Sequence, residues 1–323
     1  MLSLHLPESG QSCCPQPEYH AFSLGGPLRY LISLCNKPSG SAERAGHLLE
    51  CDTDHHRIRS IPLLHPALPT TFFGLTGLCR WRDGFVVVTQ SVPSALAFLS
   101  LRYEVVEVWP LQLVRDGHSI IARDDKLYIA STGNNSIVEF DPKSGERIWW
   151  QDSESQGDVL HVNALCWAQQ DLLITAFGRK KGELWATAHE GYVANLNTNT
   201  RLMSSLHQPH SLLAAADGIY VCESSRLAVR RDDGQTLLLG LGYLRGLLVT
   251  EKHLCVGISQ GRQRSRSTGQ RVENPGEPGL RAGKCGVAVY RRTGRNLADL
   301  QPIGILPLGP FGREVYDLLL VEE

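Results

Sequence analysis

The stretch HSIIARDDKLYIASTGNNSIVEFDPKSGERIWWQD, residues 118–152, reads as four short strands joined by tight turns. HSIIA and KLYIAS flank Asp124-Asp125, SIVEF follows Gly133-Asn134-Asn135, and ERIWW follows Ser144-Gly145. Branched aliphatic and aromatic residues favour strands, whereas Asp, Asn, Ser and Gly tolerate the turn conformations between them. The stretch is therefore one small antiparallel sheet.

The same phrase recurs along the chain. TGLCRWRDGFVVVT from Thr76, NALCWAQQDLLITA from Asn163, HSLLAAADGIYVCE from His210 and RGLLVTEKHLCVGI from Arg245 match HSIIARDDKLYIAS from His118. In each, the ninth residue after the start opens the second strand: Phe85, Leu127, Leu172, Ile219 and Leu254. The starts lie 42, 45, 47 and 35 residues apart, the length of a four-stranded propeller blade. A sixth copy is split: YDLLLVEE from Tyr316 supplies a first strand, and RYLISLCN, GHLLECD and RIRSIPLL near the N-terminus supply the rest. Pairing the last strand with the first closes a ring and leaves no open sheet edge. The expected fold is all-β, a six-bladed β-propeller over residues 25–323, preceded by a strap over residues 1–24.

Blade two and the phrases HVNALCW, LLITAFG, PHSLL and LRGLL carry a resemblance. The chain resembles the six-bladed propellers of the NHL-repeat and gluconolactonase-like superfamily, and within it an uncharacterised bacterial family with H-V-N and L-R-G strand motifs. The resemblance spans residues 70–320. It implies the fold, but propellers host hydrolases, lyases, isomerases and binding scaffolds alike.

Composition narrows the partners. Lys and Arg number 32 against 33 Asp and Glu, a net charge of −1, which offers no field for nucleic acid or an anionic membrane. No apolar run approaches the ~20 residues of a membrane-spanning helix, and MLSLHLPESG lacks the pattern of a signal peptide. The nine cysteines form no C-x-x-C pair, and Cys79, Cys166, Cys222 and Cys255 fall inside strands, as reduced core thiols of a cytoplasmic protein would. Walker motifs, G-x-S-x-G elbows and zinc-finger spacings are missing from the sequence, so no nucleotide cofactor is expected.

First strands line a propeller's channel, so the nine-residue register stacks equivalent positions into rings. The reference ring is Thr76, His118, Asn163, His210, Arg245 and Tyr316. Two residues earlier stand Gly74, Asp116, His161, Gln208, Tyr243 and Glu314; two later stand Leu78, Ile120, Leu165, Leu212, Leu247 and Leu318. Between lies a small ring of Gly77, Ser119, Ala164, Ser211, Gly246 and Asp317. Two polar layers above an aliphatic one predict a blind polar pocket closed by an apolar plug.

The polar layers suit several chemistries. His118, His161 and His210 with Asp116 could bind a divalent transition metal (Zn, Mn or Fe), although a three-histidine set must span two layers. The resemblance implies a metal at this place with carboxylate and amide ligands; a histidine-rich set departs from that pattern, so a calcium preference is not carried over. Without a metal, His161 beside Glu314 or Asp116, together with Tyr316, could move protons. Equally, the histidines could simply bond one another and the carboxylates. Arg245 suggests an anionic ligand, or an internal salt bridge to Glu314 or Asp116. Thr76, Asn163, Gln208 and Tyr243 would complete the substrate contacts.

Two long loops, Gly178–Gly191 and Gly261–Lys284, carry basic residues and could cover the mouth. The functional expectation is metal-assisted or His/Glu acid–base hydrolysis, elimination or isomerisation of a small anionic molecule at the mouth. The alternative is a non-catalytic ligand-binding or protein-interaction scaffold, which would gain if Trp149 and Trp150 were exposed together.

Overall fold

In the computed structural model, the described residues are 28–36, 46–53, 57–152, 157–182, 185–261 and 284–322. The N-terminal strap and most of the basic loop 261–284 fall outside them.

The described chain forms six four-stranded antiparallel sheets. Their inner strands are Leu75–Trp81, Gly117–Arg123, Val162–Ala168, Pro209–Ala215, Tyr243–Val249 and Glu314–Glu322, and each touches the next around a closed circle. This is a six-bladed β-propeller. In blade six, Glu314–Glu322 pairs with Arg29–Cys35, which continues through Leu48–Asp52 and Arg57–Ile61. The ring is thus sealed by hydrogen bonds between the two ends of the described chain. No helix among the described residues is long and apolar enough to cross a membrane.

The expected register holds. Leu78 pairs with Val87, Ile120 with Ile129, Leu165 with Ile174, Leu212 with Val221, Leu247 with Val256 and Leu318 with Ile32. The turn in blade two shows why the sequence folds this way. Asp124 and Asp125 both have positive φ, 48° and 58°, between the paired Arg123 and Lys126, and such two-residue turns match the right-handed twist of a hairpin. Between blades lie apolar layers such as Trp81, Val88, Phe98, Ile120, Ile129 and Phe140. Cys79, Cys166, Cys222 and Cys255 are buried and form no disulfide among the described residues.

Every inner strand carries an irregularity at one height. The ladder shifts between Leu75 and Leu78, Gly117 and Ile120, Val162 and Leu165, His210 and Leu212, and Leu244 and Leu247, and on the last inner strand between Val315 and Asp317. A bulge adds a residue, bends the strand and re-aims side chains. These bulges fall on the reference ring or on the small ring beside it; in the strand Pro209–Ala215 the extra residue is Ser211, with a φ of 51°.

Neighbouring blades are stitched by hydroxyls in equivalent positions. Thr132 and Ser224, each just past the paired end of a second strand, and Ser259, the last residue of its second strand, donate to the carbonyls of Val162, Leu244 and Val315 in the next inner strand. The small ring adds an alternating set. Ser119, Ser211 and Asp317 accept from the amides of Leu165, Gly246 and Leu78, whereas Gly77, Ala164 and Gly246 stand between. Gly77 is required there, since a Cβ would lie 2.5 Å from the Ile120 nitrogen.

Candidate functional site

The bulges bring side chains from five blades to the upper channel, where they form a closed collar. His161 lies against His118 at 5.3 Å between ring centroids, and His118 against Tyr316 at 5.6 Å. The Arg245 guanidinium sits 5.2 Å from both the Tyr316 and Tyr243 rings, held by cation–π attraction from two sides. Tyr243 meets His210 at 5.1 Å, His210 meets Phe177 at 5.0 Å, and Phe177 returns to His161 at 4.3 Å.

Each histidine has its Nδ1 assigned by its neighbours. His118 Nδ1 lies 3.0 Å from the Asp116 carbonyl, which can only accept, so Nδ1 carries the proton. His210 Nδ1 likewise faces the Gln208 carbonyl at 3.0 Å and Ser224 Oγ at 2.8 Å, and that hydroxyl already donates to Leu244. His161 Nδ1 bonds Asp158 Oδ2 at 2.9 Å. All three rings therefore keep an Nε2 lone pair when neutral. Burial pushes the His118 imidazole down to about 4, against a partial lift from Asp116. Burial also drives His210 well below its ordinary value, reinforced by the Arg245 charge. Both are neutral at pH 7. Burial moves the Tyr316 phenol upward, keeping it protonated.

Four buried polar atoms of the collar and its base have no hydrogen-bond partner within the protein: Asn163 Nδ2, His210 Nε2, Arg245 Nε and Tyr316 Oη. They come from four different blades. Buried polar atoms are almost always satisfied in native proteins, so this cluster is the candidate position for a ligand or solvent.

The expected site residues divide. His118, His161, His210, Tyr243, Arg245 and Tyr316 meet in the collar. Gln208 supports it, accepting from Tyr243 Oη at 2.7 Å and donating to the Trp185 carbonyl at 3.1 Å. Glu314 lies 3.6 Å from Arg245 and accepts from Asn36 Nδ2 at 2.8 Å, so the internal ion pair exists at long range. Asp116 is half exposed, 3.7 Å from His118 Nδ1. Thr76 is spent elsewhere, its hydroxyl donating to the Gly117 carbonyl at 2.7 Å. His161 pairs with Asp158 rather than with Glu314 or Asp116. The strict alternation assumed from sequence fails above the collar, because Asp116, His161 and Gln208 adopt positive φ of 54°, 53° and 51°.

Among the described residues, no group of three or more His, Cys, Asp or Glu side chains is placed to hold a metal ion. Phe177 stands between His161 and His210, so the ligand set expected from sequence is not gathered at one point. Trp149 and Trp150 are half-buried and pack beside the Val162 cluster.

Four residues escaped sequence reasoning. Asp158 precedes the inner strand in irregular backbone. Trp185 lies in the 178–191 loop and packs on His161 at 4.6 Å, with the Lys180 ammonium 4.2 Å from its ring. Phe177 and Cys35 occupy the stitching position that is Thr or Ser in three blades, and that departure was a readable signal. Cys35 Sγ instead lies 3.7 Å from Arg245.

A family model described as a domain of unknown function, DUF4915, matches residues 113–323. The chain belongs to this family. The DUF4915 match holds every collar residue, whereas Cys35 and Asn36 lie before it. No curated protein matches the chain. Among solved structures, a nidogen/laminin complex is similar with a TM-score of 0.57 at 11% identity, covering 91% of this chain and 98% of that one. A protein provisionally named a 6-phosphogluconolactonase from Bacteroides uniformis ATCC 8492 gives 0.50 at 13%, covering 87% and 83%. A likewise named protein from Bacteroides fragilis NCTC 9343 gives 0.50 at 12%, covering 92% and 98%. At these identities the likeness establishes the fold alone.

Proposed function

We propose that the collar is the active site of an enzyme that moves a proton on a small anionic substrate. The observation that carries this reading is the Asp158–His161 pair. A carboxylate 2.9 Å from Nδ1 fixes the tautomer, orients the ring and stabilises the imidazolium formed when Nε2 takes a proton. His161 is the general base. Arg245, with an unpartnered Nε, binds the substrate's carboxylate or phosphate. Tyr316, protonated and buried, donates to the oxygen on which charge develops. The reaction class is elimination, isomerisation or hydrolysis, the last with His161 drawing the proton from water. Sugar-acid lactones belong among the first substrates to try, given the names of two structural neighbours.

The test is a turnover screen over sugar-acid lactones, 2-hydroxy acids and unsaturated acids. For any substrate found, His161→Asn lowers kcat by roughly 100- to 10,000-fold, and Arg245→Gln raises KM. Turnover that survives His161→Asn unchanged would overturn the reading.

A further inference from the structure

Beneath the collar the channel does not close. The aliphatic ring expected to plug it, Leu78, Ile120, Leu165, Leu212, Leu247 and Leu318, instead lines a cavity of about 250 Å³. Ser119, Ser211 and Asp317 of the small ring line it too and keep accessible surface. Trp167, Leu213 and Leu319, all half-buried, stand towards the face opposite the mouth.

The repeat supplies its own control for one of these groups. In alternate blades the small ring carries Ser119, Ser211 and Asp317, and each accepts from an amide of the next inner strand, at Leu165, Gly246 and Leu78. Two blades make this link with a neutral hydroxyl. The third makes it with a carboxyl, at a long 3.3 Å, so stitching the blades does not account for the charge. The carboxyl also accepts from the Leu318 amide at 2.9 Å, and no cationic side chain among the described residues pairs with it. A carboxylate set among hydrocarbon is costly unless it is paired. Burial pushes Asp317 up to about 7, against a partial pull from the two amides. Near neutrality the group is divided between its charged and neutral forms, and a cation beside it favours the charged one.

We propose that this cavity is a second binding site, for an ammonium ion with a compact hydrocarbon body. The ammonium pairs with the Asp317 carboxylate, and the hydrocarbon fills the aliphatic ring. Ser119 and Ser211 place two further acceptor oxygens in the same layer, so nothing there repels a cation. The site goes beyond the reading of the mouth: it lies on the other side of the collar, takes the opposite charge and uses no side chain assigned to the substrate there.

The experiment is calorimetric titration of the full chain with cyclohexylmethylamine, cyclohexylmethanol and cyclohexanecarboxylate. It is run at about pH 8, where the Asp317 carboxyl is ionised and an alkylamine is protonated. The three probes share one hydrocarbon body and differ in charge. The ammonium is expected to bind at least about tenfold more tightly than either of the others. Asp317→Asn, nearly isosteric, is expected to remove that preference while leaving anion binding at the mouth intact. Leu212→Phe, which fills the cavity, is expected to abolish ammonium binding and serves if Asp317→Asn does not fold. The alcohol or the carboxylate binding as well as the ammonium would overturn the proposal. So would ammonium binding untouched by both variants, or no binding of any probe. Loss of turnover in His161→Asn bears only on the mouth, so the two readings fail separately.

Discussion

Acidification should weaken the fold through His118, and the size of the effect can be worked out. Unfolded, this imidazole titrates at its ordinary value of 6.5; folded, burial holds it at about 4. A group whose folded value is depressed binds fewer protons in the native state. Its stability contribution is complete above 6.5 and is lost as the pH falls towards 4. At about pH 5, before most carboxylates titrate, the loss from this one group is roughly 2 kcal/mol. The perturbation is His118→Asn, whose amide can still donate to the Asp116 carbonyl but does not titrate. Urea unfolding at about pH 7 and about pH 5 gives four stabilities. The wild type should lose roughly 2 kcal/mol more than the variant over that interval. His210 shifts in the same direction and remains in both proteins, so it cancels in the comparison. Equal losses in wild type and variant would refute the account of a desolvated, neutral collar.

Two further outcomes follow from the packing. Ser224→Ala removes the group that serves both the Leu244 carbonyl and His210 Nδ1, and should cost about 1–3 kcal/mol by denaturant unfolding. Cys51, Cys166 and Cys285 are buried with thiols pushed up to about 12 by desolvation, so iodoacetamide should label them only after unfolding, as peptide mass spectrometry would show.

The fold was legible because each blade must satisfy the same geometry, so aliphatic residues and turns repeat at the spacing of a hairpin. The collar was legible in membership, since polar residues on an inner strand stand out against that repetition. Its geometry was not. The bulges at or beside Thr76, His118, Asn163, His210, Arg245 and Tyr316 leave no common residue type, and they decide which way those side chains point. Asp158 and Trp185 lie in irregular segments with no period to place them. Thr76 looked like a site residue because a sequence shows that a hydroxyl is present, not which carbonyl it serves. The aliphatic ring looked like a plug, yet it lines a cavity of about 250 Å³, because six residue names do not state the diameter of their circle.

The seam in blade six ties chemistry to the order of synthesis. Asn36 emerges from the ribosome early, yet its partner Glu314 follows 278 residues later, and Tyr316 later still. The other blades can pair their strands as they appear, but Arg245 stays without its second aromatic face until the final strand arrives. A nascent chain can therefore hold most of a propeller and still lack a complete collar. Closing the circle and completing the collar are one event.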